Sequence, residues 1–195
     1  MDEELFKSIK RKINRPSLKT LLGKKELVGV EIGVYRGLNA ENILTGLDIK
    51  KLYLIDLYLE EDGMLSGTTT SGSMTLQIRY EAHKRLDRFK DKIVWIEKKS
   101  EYAVEDIGDG ELDFAYLDGD HSYNVIKRDI ELYFQKVKIG GLVAGHDYDQ
   151  PDSNNGVIRA VEETLGNKGY EIFSGISLDD PNSMDWWIAK KTEEV

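Results

Sequence analysis

Five side chains able to do acid–base or metal chemistry follow two short apolar runs: Asp118, Asp120, His121, His146 and Asp147. The runs, residues 112–117 and 142–145, are predicted to be strands buried in a parallel sheet. The carboxyl ends of such strands open onto the crevice where ligands bind. An imidazole there can take a proton at neutral pH, and a divalent cation held by carboxylates can lower the pKa of a bound hydroxyl. We therefore expect the chemical centre at these strand ends.

An earlier segment has the pattern of a nucleoside-binding half-site. An apolar run over residues 27–34 is followed by a predicted helix over residues 39–47. The turn between them is punctuated by Glu31, Gly33 and Gly37. Glycines let the backbone approach a ligand closely, and a helix start offers unpaired N–H groups. A second predicted strand, residues 52–55, ends at Asp56, whose carboxylate can accept both ribose hydroxyls.

The rest of the chain alternates predicted strands and helices without an internal repeat. The other predicted strands cover residues 92–97, 112–117, 142–145, 170–174 and 186–190. Gly140 and Gly141 are expected to end the helix before the fifth strand. Residues 175–184 are too few for a crossover helix, so the last two strands are predicted to form an antiparallel hairpin. The predicted fold is α/β: a Rossmann-like, doubly wound, seven-stranded sheet that is mostly parallel, with a C-terminal antiparallel hairpin.

Charge and composition limit the classes of partner. The 195 residues carry a net charge of −9 with no basic stripe, so nucleic acid is not an expected partner. Residues 1–25 alone carry eight basic and three acidic side chains, a charge of +5 that leaves −14 for the remainder. No apolar run is long enough to span a bilayer, so no membrane is expected, and the lack of Cys excludes disulfides. A cytoplasmic location is expected.

Two regions are predicted within the chain. Leu5, Ile9 and Ile13 recur at helical spacing, so residues 1–25 are predicted to form an amphipathic helix and a linker. Residues 26–195 are predicted to form a single domain. Within it, the polar, glycine-rich residues 60–73 are either a lid over the cofactor or a loop without function.

The turn motif separates two families of nucleoside-binding enzymes. Tyr35 occupies the place of the second glycine in the nicotinamide fingerprint Gly-x-Gly-x-x-Gly, which disfavours an NAD-dependent oxidoreductase. The run VEIGVYRG, residues 30–37, instead resembles the first motif of class I S-adenosylmethionine-dependent methyltransferases, whose sheet also ends in an antiparallel hairpin. The runs LDFAYLDGDHSY, residues 112–123, and GGLVAGHDY, residues 140–148, resemble the small-molecule O-methyltransferase branch that includes macrolide-sugar methyltransferases and cephalosporin hydroxylase-like proteins. The resemblance extends over residues 27–190.

This resemblance implies S-adenosylmethionine as the cofactor and assigns its contacts. The implied cofactor-binding residues are Glu31, Gly33, Tyr35, Gly37, Asp56, Ser100 and Asp118. In these assignments Gly33 and Gly37 pass the methionine part, Asp56 binds the ribose and Ser100 contacts the adenine. Glu31 supports the loop or binds the amino group through water.

The resemblance also implies catalytic roles. Asp118 binds a metal and His121 is the base, with Asp147 as a second metal ligand. His146 leaves two alternatives open. Either it is a third ligand, which suits Mn²⁺, Fe²⁺ or Zn²⁺ better than the oxygen-preferring Mg²⁺, or it contacts the substrate and no metal is present.

The expected activity is therefore methyl transfer from S-adenosylmethionine to a hydroxyl of a small molecule such as a sugar, a phenol or a natural product. The alternatives are an NAD-dependent oxidoreductase and a catalytically silent nucleoside-binding protein. The expected partner is a small hydroxylated substrate, and a homodimer is left open. The acceptor pocket cannot be identified from the sequence, because fold does not determine substrate.

Overall fold

The structure is a computed structural model that describes residues 13–58, 72–148, 156–178 and 183–192. The N-terminal helix predicted from Leu5 and Ile9 and most of the loop predicted over residues 60–73 lie outside these ranges.

Seven strands form one sheet in the order β3-β2-β1-β4-β5-β7-β6. Their bounds are Leu27–Ile32 (β1), Ile49–Ile55 (β2), Ile93–Ile96 (β3), Leu112–Leu117 (β4), Val137–Gly145 (β5), Phe173–Ile176 (β6) and Met184–Ala189 (β7). Strands β1 to β5 pair in parallel, whereas β7 is antiparallel to both β5 and β6. The predicted α/β, doubly wound, seven-stranded fold with its C-terminal antiparallel hairpin is confirmed.

Five helices are described in the ranges given above. Their bounds are Leu38–Gly46 (α1), Gly72–Leu86 (α2), Ser100–Ala103 (α3), Tyr123–Lys136 (α4) and Val157–Thr164 (α5). The longer helices form because apolar residues recur at helical spacing: in α4, Ile126, Ile130 and Phe134 are all buried on one face.

The core lies on both faces of the sheet, as expected for parallel strands covered by helices. Alternate side chains of a strand point to opposite faces, so Tyr53 and Ile55 belong to one buried cluster with α4. Leu52 and Leu54 belong to the other cluster, with α1. Burial on both faces explains why these strands appear as nearly continuous apolar runs.

The segment before β1 packs against the domain. Ile13, Leu18 and Leu21 are buried in the cluster that contains α1. Ile13 lies so close to Gly46 that a Cβ on this glycine would be 2.0 Å from its Cδ1. Residues 13–21 are therefore part of the folded body, where they include a 3₁₀ turn at Leu18–Leu21.

The predicted end of the helix before the fifth strand is wrong. Gly140 and Gly141 do not end a helix, because α4 ends at Lys136 and β5 begins at the next residue. Gly140 has a φ of +80°, and its flexibility accommodates the register shift by which Val137 pairs with Leu112 but Leu142 pairs with Phe114. The two glycines lie inside a kinked strand.

The strand order reverses direction between β1 and β4, which are neighbours in the sheet. The chain proceeds from β1 outward to β2 and β3, and from β4 outward to β5. A crevice opens at such a switch point, beyond the carboxyl ends of the strands.

Candidate active site

The turn after β1 lies directly against the end of β4. Gly33 has a φ of +84°, and a Cβ on it would be 2.0 Å from the carbonyl oxygen of Asp118. Only glycine fits a position with this backbone geometry and this close approach. Gly37 has a φ of +74° and is the N-cap residue of α1, where it packs near Leu86.

Asp56, at the end of β2, organises this turn. Its Oδ2 accepts backbone N–H bonds from Val34 at 3.0 Å and Tyr35 at 2.8 Å, and its Oδ1 accepts one from Tyr58 at 2.8 Å. Burial raises the pKa of Asp56, and the three N–H bonds oppose that rise. A carboxylate has about four acceptor positions, so one remains on Oδ1 for a ligand hydroxyl.

Glu31 lies beneath the turn and is 1% exposed. Its Oε1 accepts a hydrogen bond from Asn39 Nδ2 at 2.8 Å, whereas Oε2 has no hydrogen-bond partner among the described residues. Burial raises the pKa of Glu31 to about 8. The side chain is therefore mostly protonated at neutral pH, which its sequence position does not indicate.

A cavity of about 480 Å³ occupies the crevice at the switch point. Its volume lies within the usual range for small-ligand sites. The predicted cofactor residues among its lining are Gly33, Tyr35, Asp56, Ser100 and Asp118. Glu31 and Gly37, which belong to the same prediction, are absent from this lining. Further lining comes from residues 98–101 and from Val125, Arg128 and Asp129 on α4.

Asp118, His121 and Asp147 come together beside this cavity, and their ligand atoms lie within 4.8 Å of one another. His121 Nε2 is 2.9 Å from Asp147 Oδ2 and 3.9 Å from Asp118 Oδ1. The hydrogen bond with Asp147 raises the pKa of His121, although burial opposes this. Burial also disfavours ionised Asp147, but hydrogen bonds from His121 and His146 outweigh it and lower the pKa of Asp147. Burial raises the pKa of Asp118 to about 6.

His146 lies behind this cluster and is 8% exposed. Its Nδ1 is 3.3 Å from Asp147 Oδ2 and 3.8 Å from Asp118 Oδ1. Its Nε2 has no hydrogen-bond partner within the described part of the chain. The three residues whose ligand atoms lie within 4.8 Å of one another are Asp118, His121 and Asp147. His146, the third metal ligand assigned from the sequence, lies beside this cluster.

Asp120 has a local structural contact. Its Oδ1 accepts a backbone N–H bond from Ser122, the residue that precedes α4, at 2.7 Å. The carboxylate also lines the cavity.

Arg15 approaches the site from the segment before β1, which the sequence did not indicate. Its Nη2 is 3.8 Å from Asp118 Oδ2, and its Nη1 donates to Ser177 Oγ at 3.1 Å and lies 4.0 Å from Asp185 Oδ1. These residues are far apart in sequence and belong to no local motif. Only the folded chain brings them together.

Comparison with known proteins gives one family match. Residues 30–148 match the family described as "Methyltransferase domain", which is more than half of the chain. None of the curated proteins matches the sequence.

Solved structures share the fold at low identity. The O-methyltransferase TomG from Streptomyces achromogenes, in complex with SAM, is 12% identical with a TM-score of 0.63, over 97% of this chain and 81% of that one. An O-methyltransferase from Bacillus cereus in complex with SAH is 12% identical with a TM-score of 0.60, over 97% and 82%. A putative rRNA-methylase from Clostridium thermocellum is 11% identical with a TM-score of 0.64, over 99% and 98%. At these identities the likeness shows the fold and leaves the acceptor open.

Proposed function

Because the chain belongs to the methyltransferase-domain family, we propose that it transfers a methyl group from S-adenosylmethionine to a hydroxyl of a small molecule. The family membership confirms the resemblance to class I S-adenosylmethionine-dependent methyltransferases. Transfer to a hydroxyl is supported mainly by the His121–Asp147 pair. This pair adjoins the cavity through Asp118. The net charge of −9 supports a small acceptor over a nucleic acid.

The cofactor is proposed to lie in the cavity. The remaining acceptor position on Asp56 Oδ1 accepts from one ribose hydroxyl, and the backbone at Gly33 and Tyr35 borders the methionine part. Ser100 lines the part of the cavity assigned to the adenine. Asp118 lines the cavity and its Oδ1 lies 3.9 Å from His121 Nε2, so we place the methyl group beside these two residues. Glu31 and Gly37 act through the turn that they support.

His121 is proposed as the general base. Asp147 holds the imidazole through the 2.9 Å contact at Nε2, and half of the His121 side chain is open to an acceptor. The acceptor O–H bond breaks as its proton moves to His121, an O–CH₃ bond forms, and the S–CH₃ bond breaks. The sulfonium becomes the neutral thioether S-adenosylhomocysteine. Such transfer requires an in-line approach with the reacting atoms about 3 Å apart.

The same residues fit a divalent cation. Two carboxylates and an imidazole with ligand atoms within 4.8 Å are a mixed oxygen and nitrogen set, which suits Mn²⁺, Fe²⁺ or Zn²⁺ better than Mg²⁺. Asp118, Asp147 and either His121 or His146 would hold the ion, which would make the acceptor hydroxyl more acidic. A neutral imidazole has one nitrogen with a free lone pair, which is Nδ1 while Nε2–H donates to Asp147. If His121 uses its free lone pair to bind a metal, it cannot also accept the proton, so a metal ligated by His121 excludes His121 as the base.

A screen of hydroxylated sugars and phenols with labelled S-adenosylmethionine tests this proposal, with and without chelator and added Mn²⁺ or Mg²⁺. We expect methyl transfer to at least one acceptor. Loss of activity with chelator and recovery with Mn²⁺ would support the cation. No transfer to any acceptor, with intact cofactor binding, would support a silent binding protein.

A further inference from the structure

Helices α3 and α4 form a distinct part of the cavity wall. Ser100, the first residue of α3, donates from Oγ to Asp129 Oδ1 on α4 at 2.6 Å. Tyr133 on α4 donates from its hydroxyl to the carbonyl oxygen of Ser100 at 2.8 Å. Both Ser100 and Asp129 line the cavity. These two bonds fix the position of the Asp129 carboxylate relative to the cavity.

Other charged residues of this part of the cavity wall are held in ion pairs. Glu101 forms an ion pair with Arg128 at 2.5 Å, and Lys98 forms one with Asp106 at 2.6 Å. Asp129 is 2% exposed, and Ser100 Oγ is the donor that the described residues provide to it, at one of its two oxygens. Buried carboxylates normally have their acceptor positions filled. The remaining acceptor capacity of Asp129 therefore points to a donor supplied by a ligand in the cavity.

We propose that Asp129 is a specificity-determining residue that accepts a hydrogen bond from the exocyclic amine of the adenine base and so selects adenosine over inosine. This inference rests on the proposed function. With the ribose at Asp56 and the methyl group at Asp118, the base lies toward Ser100 and α4, where Ile55, Leu57 and Val125 offer apolar surface to its faces. The exocyclic amine is the hydrogen-bond donor on the edge of adenine.

The acceptor role requires an ionised carboxylate. Burial raises the pKa of Asp129 to about 6, while the Ser100 bond opposes that rise. Above this value the carboxylate can only accept hydrogen bonds. In hypoxanthine an oxygen replaces the amine, so two acceptors would face each other. Selection should therefore be complete well above pH 6.

Calorimetry with two ligands at pH 8 tests this directly. S-adenosylhomocysteine should bind the wild-type protein about 10- to 100-fold more tightly than S-inosylhomocysteine, the range for a hydrogen bond to a charged group. In Asp129→Ala this preference should fall to within about threefold because the acceptor is gone. Asp129→Asn should also lose most of the preference, because its amide can donate to the hypoxanthine oxygen.

Asp109→Ala is the matched control, since Asp109 is an exposed acid that pairs with Lys136 at the far end of α4. It should keep the wild-type preference. An unchanged preference in both Asp129 variants, equal weakening of both ligands, or a wild-type protein that does not discriminate would overturn the inference. If neither nucleoside binds the wild-type protein, the proposed function itself fails.

Discussion

At the scale of single residues, Asp56 combines two tasks. Its carboxylate accepts three backbone N–H bonds from the turn and from Tyr58, and one acceptor position remains for a ligand. Asp56→Ala should weaken S-adenosylhomocysteine binding by at least about tenfold, since both the ribose contact and the turn geometry are lost. Calorimetry measures this, and circular dichroism checks the fold. An unchanged affinity would remove Asp56 from the binding site.

The proposed role of His121 as the base predicts a loss of turnover that a histidine outside the cavity should not share. His121→Ala should lower turnover of an acceptor found in the screen by about 10²- to 10⁴-fold, the usual effect of losing a general base. Cofactor affinity should change little. His83→Ala is the control, because His83 hydrogen-bonds Glu97 and stacks on Trp95, outside the cavity lining. Full activity of His121→Ala would make His146 the next candidate.

The pH profile tests the pairing of His121 with Asp147. A base must be unprotonated, so turnover should rise with pH through the pKa of His121, which the Asp147 bond raises above 6.5. Asp147→Asn removes that charge, so the midpoint of the rise should move to lower pH. If the midpoint does not move, the group that titrates in the pH profile is not His121 paired with Asp147.

The raised pKa of Glu31 predicts that the free energy of unfolding depends on pH. Its folded-state pKa of about 8 exceeds the unfolded value of 4.5, so its contribution is full below pH 4.5 and is lost as pH rises through 8. Glu31→Gln mimics the protonated acid and lacks this loss. Relative to that variant, the wild-type free energy of unfolding should fall by up to about 4 kcal/mol between pH 5 and pH 8, at about 1.4 kcal/mol per unit. Urea unfolding at both pH values measures the difference, and parallel curves would contradict the assignment.

At the scale of elements, the segment before β1 is joined to the C-terminal hairpin by buried Asp185. This carboxylate accepts from Ser17, Tyr116 and Ser177 and lies near Arg15. Asp185→Ala would leave these buried donors and the Arg15 charge uncompensated. We expect a loss of about 3–5 kcal/mol in the free energy of unfolding, the range for breaking a buried ion pair. Asp185→Asn, which keeps an acceptor, should lose clearly less, and equal losses would contradict this explanation.

Elements were predictable from sequence where the apolar pattern is continuous. The strands before Asp56 and Asp118 were found because burial on both faces makes residues 52–55 and 114–117 continuously apolar. The pattern failed at Gly140, where a left-handed residue lies inside a strand and resembles a helix terminator. The contacts of Arg15, Asp129 and Asp185 could not be predicted, because they depend on packing between residues up to 168 positions apart.

At the scale of the whole molecule, the fold positions the cavity and the His121 cluster together at one end of the sheet. The β1, β2 and β4 ends supply Gly33, Asp56 and Asp118. None of the helices in the described ranges is long and apolar enough to cross a membrane. Since the same fold occurs in proteins with different acceptors, the cofactor site is the part of the function that the architecture supports most strongly.

Calorimetry of the wild-type protein with S-adenosylhomocysteine and with NADH tests the central claim most directly. The nucleoside should bind with one site per chain, and NADH should bind far more weakly because Tyr35 occupies the place of the second glycine of the nicotinamide fingerprint. Tighter binding of NADH, or no binding of S-adenosylhomocysteine, would contradict the assignment of this cavity to S-adenosylmethionine.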